Sequence, residues 1–152
     1  YVQLFIDGQI WDNHAKLEGG IRGACARTDQ PVAALLADLK QRGMLAETLV
    51  IWGGEFGRTP AMRYGAPDRS YGRDHWPAAY SALLAGGELN MGQVVGATNS
   101  KSEYPTERPY TPQDLLATIY HHLGIDHSQT FDDFRGRPVH ILSEAKPIAE
   151  LI

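Results

Sequence analysis

The sequence predicts an α/β fold, a layered sandwich with a mainly parallel sheet, and three observations carry that expectation. The opening segment, Tyr1-Val2-Gln3-Leu4-Phe5-Ile6, is apolar and reads as a buried strand. Val32, Leu35, Leu36 and Leu39 then recur at helical spacing. Thr48-Leu49-Val50-Ile51-Trp52 follows as an apolar, β-branched run without polar alternation, the pattern of a strand covered on both faces. Strand, helix and strand in that order point to an α/β sandwich.

The first strand is expected to end at Asp7-Gly8, followed by a loop carrying Trp11-Asp12-Asn13-His14. The first helix is expected from Thr28 or Asp29 to Arg42, with Asp29 as N-cap, Pro31 in the first turn and Gly43 as the stop. From Glu55 to Trp76 the chain is rich in Gly, Arg and Pro and too irregular for a core element. It is longer than the ~12–15 residues of an ordinary loop, a length associated with function or disorder. Pro77 to Ala85 reads as a strand, with a helix left open, and Gly86-Gly87 ends it. Gln93 to Thr98 reads as a short strand and Asn99 to Pro109 as a polar loop. A second helix starts at Thr111-Pro112-Gln113-Asp114, with Thr111 as N-cap and Pro112 at the first helical position. Leu115, Leu116, Ile119, Tyr120 and Leu123 form its apolar stripe, and Gly124 closes it. The tail from Phe131 holds Arg135-Gly136-Arg137-Pro138 and then short apolar pieces.

A length of 152 residues fits one domain or a piece of a larger one, and 43% hydrophobic residues suffice for a core. Fourteen Lys and Arg against eighteen Asp and Glu leave a net charge of −4, which argues against a nucleic-acid or anionic-membrane partner. No apolar run reaches the ~18–20 residues of a membrane span. Cys25, the single cysteine, excludes an internal disulfide and a thiolate-only metal site. An opening in mid-strand without methionine leads us to expect the C-terminal portion of something longer.

Three polar clusters fall at the ends of the expected strands, where ligands sit in open α/β sheets. The first is Asp12 with His14, a carboxylate and an imidazole that an extended loop can turn toward one divalent metal. The second is Glu55, after Trp52-Gly53-Gly54 and before Phe56-Gly57-Arg58-Thr59-Pro60. The third is Arg73-Asp74-His75-Trp76-Pro77. Each has an ordinary explanation: Asp-x-His alone is a common pattern, Glu55 can pair with Arg58, and Asp74 and His75 can satisfy a buried turn. Their agreement favours a metal site, because mixed nitrogen and oxygen donors suit Zn²⁺ or Mn²⁺, with Ca²⁺ and Mg²⁺ as alternatives. His121 and His122 are explained by the C-terminal dipole of the second helix. His127 and His140 lack a companion carboxylate at a convincing spacing, Asp132 and Asp133 read as a solvated turn, and no His or Asn arrangement marks Cys25 as a nucleophile. The chain holds no phosphate-binding loop, dinucleotide fingerprint or Gly-x-Ser-x-Gly elbow.

Four stretches together resemble a known bacterial family: Trp11-Asp12-Asn13-His14, Leu39 to Val50, Gly54-Glu55-Phe56-Gly57-Arg58-Thr59-Pro60 and Gly72-Arg73-Asp74-His75-Trp76-Pro77. It is domain of unknown function 1501, taken here as a sulfatase-like branch of the alkaline phosphatase superfamily. Gly86-Gly87, Gly92 to Gly96 and Gly136-Arg137-Pro138-Val139 fit the same resemblance. The resemblance implies the C-terminal portion of an alkaline-phosphatase-like α/β/α sandwich with up to two metals. Asp12, His14 and His75 match the ligands of one metal. Glu55 matches the acidic ligand of the other, where Phe56 replaces a histidine and cannot ligate. The nucleophile is expected upstream, so no catalytic nucleophile is expected in these residues.

The expected function is a metal-dependent hydrolase of small-molecule phosphate or sulfate esters, with Arg58 and Arg73 clamping the tetrahedral anion. For both arginines the competing reading is a salt bridge to Glu55 or Asp74. Asp74 is expected either to orient His75 or to ligate directly. Two rivals keep the scaffold: a binding protein that has lost catalysis, for which Phe56 speaks, and a metal-dependent mutase or transferase. The resemblance also implies export to the periplasm or beyond the cell.

Overall fold

The computed structural model describes residues 1–64 and 70–152. In chain order its elements are α1 (Leu17–Gln41), β1 (Val50–Trp52), β2 (Gly57–Arg58), β3 (Arg63–Tyr64), β4 (Tyr71–Gly72), β5 (His75–Trp76), β6 (Leu83–Ala85), β7 (Ala97–Thr98), β8 (Pro105–Glu107), α2 (Pro112–His122), β9 (Thr130–Asp132) and β10 (Pro138–His140). Among the described residues the strands form five two-stranded ladders, all antiparallel: β1 with β6, β2 with β5, β3 with β4, β7 with β8 and β9 with β10.

The expected α/β/α sandwich with a mainly parallel sheet is therefore overturned. A parallel pair needs a crossover connection, usually a helix. The described chain between β1 and β6 contains short strands and loops and no helix. β6 instead returns against β1 antiparallel, with Val50 opposite Ala85, Ile51 opposite Leu84 and Trp52 opposite Leu83. The apolar run around Val50 is also not covered on both faces, since Ile51 is exposed. Among the described residues no strand precedes α1 for β1 to join, because Tyr1 to Ile6 forms no ladder and is exposed.

α1 begins eleven or twelve residues before the expected start, so Pro31 lies inside the helix. An interior proline removes one helical hydrogen bond and commonly costs about 3 kcal/mol. Local contacts support the helix on either side of it. Glu18 pairs with Arg22 at 3.0 Å, Thr28 Oγ1 donates to the Ala24 carbonyl at 3.0 Å, and Arg42 at the C-cap pairs with Asp38 at 2.9 Å. Cys25, which precedes the expected start of the helix, lies within it.

In the segment from Glu55 to Trp76, expected to be irregular, the described residues form nested antiparallel ladders. β2 pairs with β5, Thr59 N–H donates to the Asp74 carbonyl at 2.8 Å, and β3 pairs with β4. The part of that expectation covering residues 65–69 lies outside the described residues. Its strands are two residues each, too short for an alternating pattern to show. The polar loop expected from Asn99 to Pro109 likewise contains β8.

α2 starts as expected. The Thr111 hydroxyl accepts from Asp114 N–H at 3.2 Å, and the Asp114 carboxylate accepts from Thr111 N–H at 2.8 Å, a reciprocal capping box. The same helix anchors the C-terminal tail. Lys146 N–H donates to Asp114 Oδ1 at 3.0 Å and Ile148 N–H to Thr118 Oγ1 at 2.9 Å. Ala117, Thr118, Ala145, Ile148 and Leu151 are buried there; Ala24 and Thr28 are buried on α1.

The accessible surface is 11115 Å². A compact monomer of this mass exposes about 7700 Å². Apolar side chains contribute to the excess: Tyr1, Val2, Leu4, Phe5, Val94 and Phe134 are each at least 79% exposed. No helix among the described residues is long and apolar enough to cross a membrane.

Candidate metal centre

Two chain segments meet to form the site. One is the turn before α1, in which Asp12 N–H donates to the Gln9 carbonyl at 3.1 Å and His14 N–H to the Asp12 carbonyl at 3.2 Å. The other is the nested hairpin, whose register sets His75 on β5 directly opposite Arg58 on β2. Backbone bonds join them: Arg73 N–H donates to the Asn13 carbonyl at 3.0 Å, and Lys16 N–H to Ser70 Oγ at 2.9 Å. Gly72 makes this approach possible. A Cβ there would lie 1.8 Å from the His14 carbonyl oxygen and 2.6 Å from Ala15 N. Gly20 on α1 plays a smaller part, leaving room for the Asn13 side chain of the same turn.

Asp12 stands at the centre. His75 Nε2 lies 2.8 Å and His14 Nε2 3.1 Å from Asp12 Oδ1. Ligand atoms from these three residues all lie within 4.8 Å of one another. The hydrogen bond from His75, reinforced by the charges of His14, His75 and Arg58, holds the Asp12 carboxyl below its ordinary range despite partial desolvation. The imidazoles of His14 and His75 are tilted against each other with centroids 4.9 Å apart, and Phe56 covers His75 at 4.7 Å.

Asp74 faces His14, not His75: its Oδ1 is 2.9 Å from His14 Nδ1, and Arg63 Nη1 is 3.2 Å from its Oδ2. The bonds from His14 and then Arg63 lower the Asp74 pKa. Asp74 is outside the set of mutually close donors.

Glu55 is also outside it. Its side chain is exposed, and its nearest charged neighbour is Arg58 Nη2 at 3.4 Å. Arg58 Nη2 is equally 3.4 Å from Asp12 Oδ1, the guanidinium lies 5.2 Å from the Phe56 ring centroid, and Nη1 is buried without a hydrogen-bond partner. Both competing readings of Arg58 thus meet in one side chain, which pairs with Glu55 and still faces the site. Arg73, Arg58, Glu55, Phe56, Asp12 and His75 line one open cleft of about 1080 Å³.

The donor set suits a divalent ion. Two imidazole nitrogens and a carboxylate oxygen are the first three ligands of many four-coordinate sites, whose ligand atoms lie roughly 3.3 Å apart given bonds of about 2.0 Å. The two contacts to Asp12, 2.8 and 3.1 Å, approach that spacing, and the set as a whole lies within 4.8 Å. The sequence pointed to Asp12, His14 and His75. It did not single out Arg63 or Gly72, although the glycine beside Arg73-Asp74-His75 was the available signal.

The whole chain, residues 1–152, matches the family described as protein of unknown function (DUF1501). The chain belongs to the DUF1501 family. No curated protein and no solved structure matches the DUF1501 chain.

Proposed function

We propose that the DUF1501 chain carries the metal-binding part of a metal-dependent hydrolase acting on phosphate or sulfate esters. The observation that supports this reading most is the juxtaposition of the Asp12–His14–His75 donor set with Arg58, 3.4 Å from Asp12, at an open cleft. Kinship with the sulfatase-like branch of the alkaline phosphatase superfamily is part of the proposal. It rests on the Trp-Asp-x-His and Gly-Arg-Asp-His-Trp-Pro strings, not on sheet order.

In this reading Asp12, His14 and His75 hold one Zn²⁺ or Mn²⁺. Such an ion, when bound, polarises an ester oxygen and neutralises charge that develops on it. Arg58 presents a planar fork that matches two oxygens of a tetrahedral anion. Its buried, unpartnered Nη1 leaves donor capacity to satisfy. Arg73 adds a second cation to the cleft lining. The nucleophile comes from chain outside these residues, and the large open surface is consistent with further protein packing against them.

Phe56 favours a second reading. Its ring lies against His75 beside Glu55, where a second ligand set would need a donor. If turnover requires a second ion at that position, a protein lacking it would bind a phosphorylated or sulfated ligand without hydrolysing it. Assays of the protein bearing these residues, with p-nitrophenyl phosphate and p-nitrophenyl sulfate and added Zn²⁺ or Mn²⁺, separate the two. Metal-dependent release of p-nitrophenol supports the hydrolase. Tight binding of inorganic phosphate or sulfate without release supports the binding protein.

A further inference from the structure

We infer that Asp74 is a positioning residue for the metal centre: it fixes the ring and tautomer of His14 so that Nε2 is presented as the donor. This inference rests on the metal reading above and deepens it. An imidazole that ligates through one nitrogen carries its proton on the other. A carboxylate accepting that proton orients the ring and makes the ligating nitrogen more basic.

The geometry has each of these parts. His14 Nδ1 is 2.9 Å from Asp74 Oδ1, while His14 Nε2, on the far side of the ring, is 3.1 Å from Asp12 Oδ1. The proton therefore belongs at Nδ1 when Nε2 ligates. Asp74 is itself held at three points. Arg63 Nη1 donates to Oδ2 at 3.2 Å, Thr59 N–H donates to the Asp74 carbonyl at 2.8 Å, and Asp74 N–H donates to Thr59 Oγ1 at 3.1 Å. The hairpin thus supplies His75 as a ligand and, one residue earlier, the brace for the ligand on the other segment. That couples the two halves of the site: His14 is aligned only when the hairpin is docked.

The test measures Zn²⁺ affinity by competition with a chromophoric chelator, together with the visible spectrum of the Co²⁺-loaded chain. Wild type is compared with Asp74→Asn, Asp74→Ala and Asp12→Ala, each checked for folding by circular dichroism. Outer-sphere partners of this kind typically change metal affinity by about 10–100-fold. The expected order is wild type tightest, Asp74→Asn weaker because it keeps an acceptor but loses the charge, and Asp74→Ala weakest of the two with an altered Co²⁺ spectrum. Asp12→Ala, which removes a ligand, loses binding further. Because the two backbone bonds with Thr59 do not involve the carboxylate, Asp74→Asn keeps them and serves as the folded variant. Wild-type affinity and spectrum in both Asp74 variants would overturn the inference alone. No metal binding by wild type would overturn the metal reading, and the inference with it.

Discussion

Gly72 lies directly against the backbone of His14, so close that a Cβ on it would fall 1.8 Å from the His14 carbonyl oxygen. The contact is backbone against backbone, so no side-chain rotation can relieve it. It joins the hairpin bearing His75 to the turn bearing Asp12 and His14. Gly72→Ala is therefore expected to separate the two segments and abolish metal binding. Overpacking of this kind typically costs about 1–3 kcal/mol. Thermal melts and a Zn²⁺ titration of the variant check this; wild-type affinity would refute it.

Arg58 is expected to bind the anion through its fork. Arg58→Lys keeps the charge and loses the bidentate geometry. Inorganic phosphate should bind the metal-loaded chain about tenfold more weakly in that variant, the size of one charge-assisted hydrogen bond. Isothermal titration calorimetry measures it directly.

The capping box of α2 gives a pH prediction. Burial alone would raise the Asp114 pKa, but hydrogen bonds from Lys146 N–H and from the Thr111 hydroxyl and N–H outweigh it, and the pKa is lowered. A carboxyl lowered on folding contributes stability that is complete above its unfolded pKa, near 4, and is lost as pH falls through the lower folded value. An acid titration followed by circular dichroism should show this loss, and Asp114→Asn should flatten it. At neutral pH, Thr111→Ala should cost about 1 kcal/mol.

The excess surface makes a prediction about association. With Leu4, Phe5, Val94 and Phe134 largely exposed, the chain of 152 residues alone should bind a hydrophobic dye and self-associate as its concentration rises. Sedimentation velocity showing a monomer at all concentrations would contradict that.

What the sequence made legible follows from how local each signal is. α2 could be placed because Thr111, Pro112, Asp114 and Gly124 act within a few residues of one another. The Asp12, His14 and His75 set was legible through motif strings. The direction of β1 was not, since an apolar run such as Val50-Ile51-Trp52 carries no information about its partner's orientation. The hairpin escaped detection because its pairing depends on Thr59, Asp74 and two-residue strands, whose bonds lie in the backbone. α1 was begun too late because Gly19, Gly20, Gly23 and Pro31 have low helix propensity, which tertiary and side-chain contacts overrode. For Asp74 the sequence offers two roles, orienting the adjacent His75 or ligating directly, whereas the fold turns it toward His14, sixty residues away.

The most direct test of the central claim is metal content by mass spectrometry, after incubation with Zn²⁺ or Mn²⁺, on the wild-type chain beside His75→Ala. The account predicts about one ion per chain in the wild type, as one three-residue donor set allows, and its loss in the variant. An ion retained equally by both, or bound by neither, would contradict it.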